Sequence, residues 1–209
     1  MFLLLSPGVL AVGVAIITRR SLAGLARLAV LWWPLGIGSF LVEFALSSTS
    51  LGREPSVRQW GSAVWLLALA GMLAMLIRNA VGRRGLTRAA WSLAALGVVL
   101  NVAVVAANGG RMPQSQAARI AAGASAAQVA GLATDGAWHN VAPMTLQTRF
   151  AWLGDILPEP AWLPLHNVMS IGDVLLATGF ALVIFLSTTP ESGHERRRAP
   201  ALIPIQPRL

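Results

Sequence analysis

The sequence predicts an all-α integral membrane bundle of about five transmembrane helices, with an outer segment between the fourth and fifth spans. Of the 209 residues, 56% are hydrophobic and only 11% are charged, whereas soluble domains carry about 25% charged residues. The apolar residues also form continuous runs close to the roughly 20 residues that cross a bilayer. Only helices and closed barrels satisfy backbone groups in lipid, and barrel strands alternate in polarity, so these runs predict helices.

Five apolar runs predict the spans, at about residues 2–18, 28–46, 60–77, 89–107 and 168–187. The first run precedes Arg19 and Arg20. A secretory signal has its positive charges before the apolar stretch, so we interpret this run as a retained helix. Small residues recur inside the spans, as at Gly172 and Gly179, and predict close helix packing.

Arginine placement predicts the orientation. The net charge is +8, and all 16 basic residues are arginines. They concentrate in the first connection, the third connection and the C-terminal tail: Arg19, Arg20 and Arg27, then Arg78, Arg83, Arg84 and Arg88, then Arg196, Arg197, Arg198 and Arg208. Because cytoplasmic loops carry the arginine excess, we expect the C-terminus inside and the N-terminus outside. The same arginines are expected to contact anionic lipid headgroups. They lack the interleaved aromatic groove of a nucleic-acid site.

The predicted organisation is a transmembrane domain over residues 1–190 and a flexible basic cytoplasmic tail over residues 191–209. The outer interfacial segment covers about residues 113–166. Its first part is rich in alanine, the best helix former, and predicts helix. Residues 145–157 predict a short helix on the outer membrane interface.

Polar residues near the outer ends of the spans predict a ligand-binding site. A carboxylate within a span is costly and by default indicates function. The candidate ligand-binding residues are Glu43, Asn108, Arg111, Asp155, His166 and Asp173. A structural interpretation competes with this one. Asp173 follows Ser170 and can cap the last helix, and Arg111 can pair with Asp155 or Asp173.

No sequence motif identifies a reaction, a metal or a cofactor. The chain has no cysteine, which excludes disulfides and thiolate sites, and it has no HExxH, GxSxG or phosphate-loop motif. We therefore predict a non-enzymatic subunit or assembly component of a membrane complex, with protein partners. The alternative is a protein that binds or transports a small solute, an ion or a lipid headgroup. A third hypothesis is an outer-leaflet enzyme with Asp155 or Asp173 as general base.

Three short motifs carry a resemblance to a known family. They are Asn-Gly-Gly-Arg-Met-Pro from Asn108, Leu-Gly-Asp-Ile from Leu153, and Ser-Ile-Gly-Asp from Ser170. In this order the chain resembles an uncharacterised bacterial family of multi-span membrane proteins of unknown function, over about its C-terminal half. The resemblance implies a bacterial inner-membrane protein and supplies no activity.

Overall fold

The computed structural model describes residues 2–48, 51, 54–134, 140–162 and 167–190. The fold is predominantly helical, as predicted. The helices are Phe2–Ile17 (α1), Ala23–Ala26 (α2), Trp33–Ser48 (α3), Pro55–Val81 (α4), Gly85–Ala107 (α5), Gln116–Ala121 (α6), Ala126–Thr134 (α7) and Ile171–Ser187 (α8), with a short 3-10 helix at Ala151–Leu153. The predicted tail, residues 191–209, lies outside the described residues.

Short strands correct the all-α prediction. Arg20–Ser21 (β1) pairs antiparallel with Thr189–Pro190 (β6), and Leu157–Pro158 (β4) pairs antiparallel with Val168–Met169 (β5). Met112–Gln114 (β2) and Val141–Pro143 (β3) form a parallel pair. Beyond the helix ends, backbone N–H and C=O groups still need partners, and pairing two extended segments supplies them.

Helix length supports two of the five predicted spans. Within the described residues, two helices are long and apolar enough to cross a membrane, Trp60–Val81 and Gly85–Ala107. The other three runs form shorter apolar helices, Gly8–Ile17, Trp33–Leu46 and Ile171–Ser187. At 1.5 Å per residue the 17 residues of α8 extend about 26 Å, less than the roughly 30 Å of a hydrocarbon core.

Helix α5 lies at the centre of the bundle, between α4 and α8, while α3 packs against α4 and α1 against α8. The α5–α8 contact is close because glycines occupy it. A Cβ atom on Gly179 would lie 2.5 Å from the Ala94 backbone nitrogen, and one on Gly172 would overlap the Asn101 side chain. The close packing predicted at these two glycines is confirmed.

The first and third connections meet at one end of the bundle, which we call the arginine end. Arg83 donates from Nη2 to the Ala29 carbonyl at 2.7 Å, and its guanidinium lies 5.1 Å from the Trp91 ring centre. Buried Asn79 accepts from the Leu31 N–H at 3.0 Å and donates to the Leu31 carbonyl at 2.7 Å. These bonds fix the chain before α3 to the last turn of α4.

The end of α8 lies at the same arginine end. Arg20 donates from Nε to Thr188 Oγ1 at 2.7 Å and from Nη2 to the Thr188 carbonyl at 2.6 Å. Its guanidinium lies 4.6 Å from the Phe185 ring centre. The opposite end, where α5 ends and α8 begins, carries residues 112–134 and 140–158, which we call the cap.

Candidate functional site at the cap end of the bundle

The start of α8 is bonded to the middle of α5. Ser170 and Asp173 form a capping box: the Asp173 N–H donates to Ser170 Oγ at 2.9 Å, and the Ser170 N–H donates to Asp173 Oδ2 at 3.0 Å. Asn101 of α5 donates to Asp173 Oδ1 at 2.8 Å and accepts from Ser170 Oγ at 2.8 Å. Gly172 leaves room for the Asn101 side chain. The Ser-Ile-Gly-Asp motif thus forms a joint between two helices.

The end of α5 is bonded to the cap. Gly109 and Gly110 have φ values of +69° and +79°, which glycine adopts at little cost and which end the helix. Just before them, Asn108 donates from Nδ2 to the Val104 carbonyl at 2.7 Å and to the Arg149 carbonyl at 2.8 Å. Its Oδ1 accepts from the Arg149 N–H at 3.0 Å. One amide side chain therefore holds both backbone groups of a cap residue.

Asp155 joins two parts of the cap. Its N–H donates to the Pro113 carbonyl, and its carbonyl accepts from the Ser115 N–H, both at 2.9 Å. Its side chain is buried, 8% exposed, and Oδ2 accepts from Gln114 Nε2 at 3.2 Å. A Cβ on the preceding Gly154 would lie 2.5 Å from the Pro113 carbonyl oxygen. Through Asp155, the Leu-Gly-Asp-Ile motif thus pairs with β2, in addition to the pairing of β2 with β3.

Burial dominates the electrostatics of this joint. Desolvation raises the pKa of Asp155 well above its usual value, and the negative charges of Asp173 and Glu43 raise it further. The hydrogen bond from Gln114 acts in the opposite direction. Arg119 donates to Gln114 Oε1 at 3.0 Å and attracts Asp155 electrostatically. Three carboxylates from α3, the cap and α8 therefore interact at the cap end.

The predicted site residues do not all take part in one joint. Asn108, Asp155 and Asp173 each occupy a different joint, and half-buried Glu43 interacts with Asp155 through charge. Arg111 is exposed, and Arg119 interacts electrostatically with Asp155. His166 lies outside the described residues. Among the residues that the structure does describe, no group of three His, Asp or Glu side chains can hold a metal ion.

Sequence reasoning missed several buried polar residues at the cap end of the bundle. Glu159, 2% exposed, accepts from Asn167 Nδ2 at 3.3 Å, and its N–H donates to the Asn167 carbonyl at 2.9 Å. Pro160 restricts Glu159 to extended backbone, which is a signal for its backbone conformation but not for its burial. Gln114 and Asn140 are also buried. Nothing in their local sequence indicates burial, since it follows from the pairing of β2 with β3.

Comparison with known protein families identifies the family of this chain. The model of a family of unknown function (DUF5317) matches residues 27–185. The chain belongs to this family. The match extends beyond the C-terminal half on which the resemblance rested, because it includes α3 and α4. No curated protein matches the chain, and no solved structure matches it.

All three motifs lie inside the region matched by the DUF5317 model. In this chain they coincide with the three joints: the end of α5, the β2 contact of Asp155 and the start of α8. Four of their polar side chains bond to groups of the same chain: Asn108, Asp155, Ser170 and Asp173.

Proposed function

We propose that this DUF5317 member is a non-enzymatic subunit or assembly component of a membrane complex in the bacterial inner membrane. In this proposal α1, α3, α4, α5 and α8 all cross the bilayer, with the N-terminus outside and the C-terminus in the cytoplasm. Helices of 16 or 17 residues can cross where the bilayer thins locally or flanking residues extend to the interface.

The bonding of the candidate site residues carries the non-enzymatic part of the proposal. Asn108, Asp155 and Asp173 donate to or accept from groups of their own chain at 2.8–3.2 Å. A general base needs its carboxylate directed at a substrate proton. Here the Asp155 carboxylate instead bonds Gln114 within the cap. The Asp173 carboxylate bonds Asn101 and the backbone of Ser170 and so joins α8 to α5.

Exposed apolar side chains support two parts of the proposal, the location in a membrane and the binding of a protein partner. Helix α3 packs mainly against α4, and five of its large apolar residues are exposed: Trp33, Leu35, Ile37, Leu41 and Phe44. Exposed apolar surface of this extent marks contact with lipid or with another protein. Helix α1 presents a similar face, with Val9, Leu10, Val14, Ile16 and Ile17 exposed.

Purification from the native membrane tests the proposal. The tagged chain is extracted in mild detergent, and co-purified proteins, lipids and metals are identified by mass spectrometry. We expect the chain to resist extraction by alkaline carbonate and to retain protein partners in stoichiometric amounts. Replacing Leu41 by Ser on α3 should release a partner bound there, whereas Leu86→Ser, an equally apolar exposed site at the start of α5, should not. A monodisperse protein without partners contradicts the subunit proposal.

The charge interaction of Asp155 with Glu43 and Asp173 favours a second candidate, a protein that binds an organic cation or the ammonium group of a lipid headgroup. Such a protein should be stabilised against heat by its ligand in proportion to occupancy. We expect thermal unfolding of the purified chain with a panel of cations and phosphate headgroups to separate the two candidates. Equal shifts in the wild type, Asp173→Asn and Arg111→Ala exclude this second candidate.

A further inference from the structure

The cap carries a surface of exposed apolar residues at the end of α5, which we call the aromatic patch: Leu146, Phe150 and Trp152. Leu146 is fully exposed, Phe150 is 53% exposed and Trp152 is 61% exposed. Phe150 also has a φ of +51°, a conformation that a bulky side chain rarely adopts. A strained backbone that presents a large apolar ring to the outside motivates the hypothesis that the ring is used in binding.

The aromatic patch is rigidly attached beside the last turns of α5. Asn108 holds the N–H and the carbonyl of Arg149, the residue before Phe150. Leu153 is buried in the same core as Val104 and Val105 of α5. The 3-10 helix therefore directs Leu153 into the bundle and leaves Trp152 exposed, at the height where α5 ends.

That height matches the edge of a bilayer. The 23 residues of α5 extend about 35 Å, slightly more than the roughly 30 Å hydrocarbon core. If α5 crosses the membrane, its last turn lies at the lipid–water boundary. Trp60 marks the same level on α4: it is 64% exposed and lies two residues from Ser62, which packs against Gly110.

The charged residues at this end of α5 also suit the lipid–water boundary. Arg111 and Arg149 are both exposed at the same end of α5, and guanidinium groups bind phosphate oxygens well. Tryptophan is enriched at the lipid–water boundary because its ring is apolar and its N–H is polar. Arginine and tryptophan side chains together fit a phospholipid surface, which offers phosphates above an apolar layer.

We propose that the aromatic patch, flanked by Arg111 and Arg149, inserts into the outer-leaflet interface and anchors the cap to phospholipid. This inference rests on the proposed membrane location. It adds that the cap lies on the lipid surface and contacts lipid directly, without a protein partner.

The absence of cysteine in the chain allows a clean test. In Trp152→Cys, the new thiol is labelled with an environment-sensitive fluorophore, and the purified full-length protein is reconstituted into vesicles of phosphatidylglycerol and phosphatidylethanolamine. The matched control is Gln116→Cys, an exposed polar position of the same cap at the start of α6. We expect the label at position 152 to emit at shorter wavelength and to be quenched by headgroup spin labels. Aqueous iodide should quench it several-fold less than the label at position 116.

Two results overturn the proposal, and they differ in what else they exclude. If the protein stays in the vesicles after alkaline carbonate but iodide quenches both labels equally, the aromatic patch faces water. The membrane proposal then stands without the anchor, and the patch is left as a surface for a protein. If carbonate removes the protein from the vesicles, the membrane proposal and the anchor both fail.

Discussion

The two ends of the bundle use the same asparagine clamp for different purposes. At the arginine end, Asn79 bonds both backbone groups of Leu31 and, within α4, the carbonyl of Met75. At the cap end, Asn108 bonds both backbone groups of Arg149 and the carbonyl of Val104. Asn79 is fully buried, whereas Asn108 is half-buried. The first clamp belongs to the core, and the second holds a surface segment in place.

The groups around the two clamps differ in charge chemistry. At the arginine end, Arg83 and Arg20 donate to carbonyl oxygens near the ends of α4 and α8, where the helix dipole favours cations. At the cap end, Asp173 accepts at the start of α8, where the dipole favours anions. Arginine keeps its charge at all ordinary pH values, but a buried carboxylate does not. The comparison therefore predicts one end insensitive to pH and one end sensitive to it.

The largest effect is expected where the two main helices touch. Alanine at Gly172 places a Cβ atom on the Asn101 side chain and near the Gly97 carbonyl oxygen, so we expect a loss of about 3 kcal/mol in unfolding free energy. The matched control is Gly38→Ala, whose Cβ meets no atom within 4 Å and should be neutral or stabilising by up to about 1 kcal/mol. Chemical unfolding in detergent measures both. Equal stability of the two variants contradicts the close α5–α8 contact.

Removing the buried clamp is expected to have the next largest effect. Asn79→Ala removes the fully buried amide that bonds both backbone groups of Leu31, and a group left without its partner on the buried side costs about 1–3 kcal/mol. We expect a loss of about 2–3 kcal/mol in a cooperative unfolding transition. Arg88→Ala, at an exposed position on α5 of the same end, serves as control and should change stability little. A wild-type transition in Asn79→Ala shows that this clamp is not part of the core.

The half-buried Asn108 clamp should contribute less than the Asn79 clamp to the unfolding free energy of the whole protein. In Asn108→Ala, water can replace the lost partners of Arg149, so we expect a loss of about 1 kcal/mol or less in unfolding free energy. Proteolysis within residues 144–150 should nevertheless become faster, because the clamp no longer holds that segment on α5. If Asn108→Ala destabilises the protein as much as Asn79→Ala, the distinction between the two clamps is wrong.

The smallest effect on the whole protein is expected from the pH response of the cap. The pKa of Asp155 is raised in the folded state, mainly by burial, so the folded protein binds this proton more tightly than the unfolded chain. The stabilisation is complete below the usual aspartate pKa and is lost as pH rises through the raised value. Thermal unfolding from acid to neutral pH should show a downward trend that is flatter in Asp155→Asn. If the wild type and Asp155→Asn show the same trend, the pH response does not come from Asp155.

The main helices were predictable because each is a continuous apolar run, and because Asn-Gly-Gly and Ser-x-x-Asp mark where α5 ends and α8 begins. The apolar runs alone did not predict the residues at which the helices begin and end. For α8 the capping box at Ser170 sets the start, and the bond from Arg20 to the Thr188 carbonyl lies just beyond the last turn. Two strands of the cap were hidden because each is three residues long. Their pairing joins segments almost thirty residues apart in sequence.

The candidate site was predictable in its residues but not in their contacts. Asp173 was identified because a carboxylate within an apolar run is costly, and Asn108 and Asp155 because the predicted topology places them on the same outer side. Asn101 and Asn108 are seven residues apart, so helical phase places them on roughly one face of α5, but the two side chains bond to different elements, α8 and the cap. Asn79 has no local signal that separates it from a surface residue. Its burial follows from the path of the chain before α3, which is a tertiary property.

Hydrogen–deuterium exchange of the full chain in nanodiscs, resolved to single amides, tests most directly whether the polar residues hold the cap on the bundle. The N–H groups of Met112, Met144 and Asp155 donate to backbone carbonyls within the cap, and that of Arg149 donates to Asn108. We expect these four amides to exchange slowly in the wild type, and Arg149 to exchange many-fold faster in Asn108→Ala while Leu31 at the other clamp is unchanged. Rapid exchange of all four amides in the wild type would contradict a cap fixed by these joints.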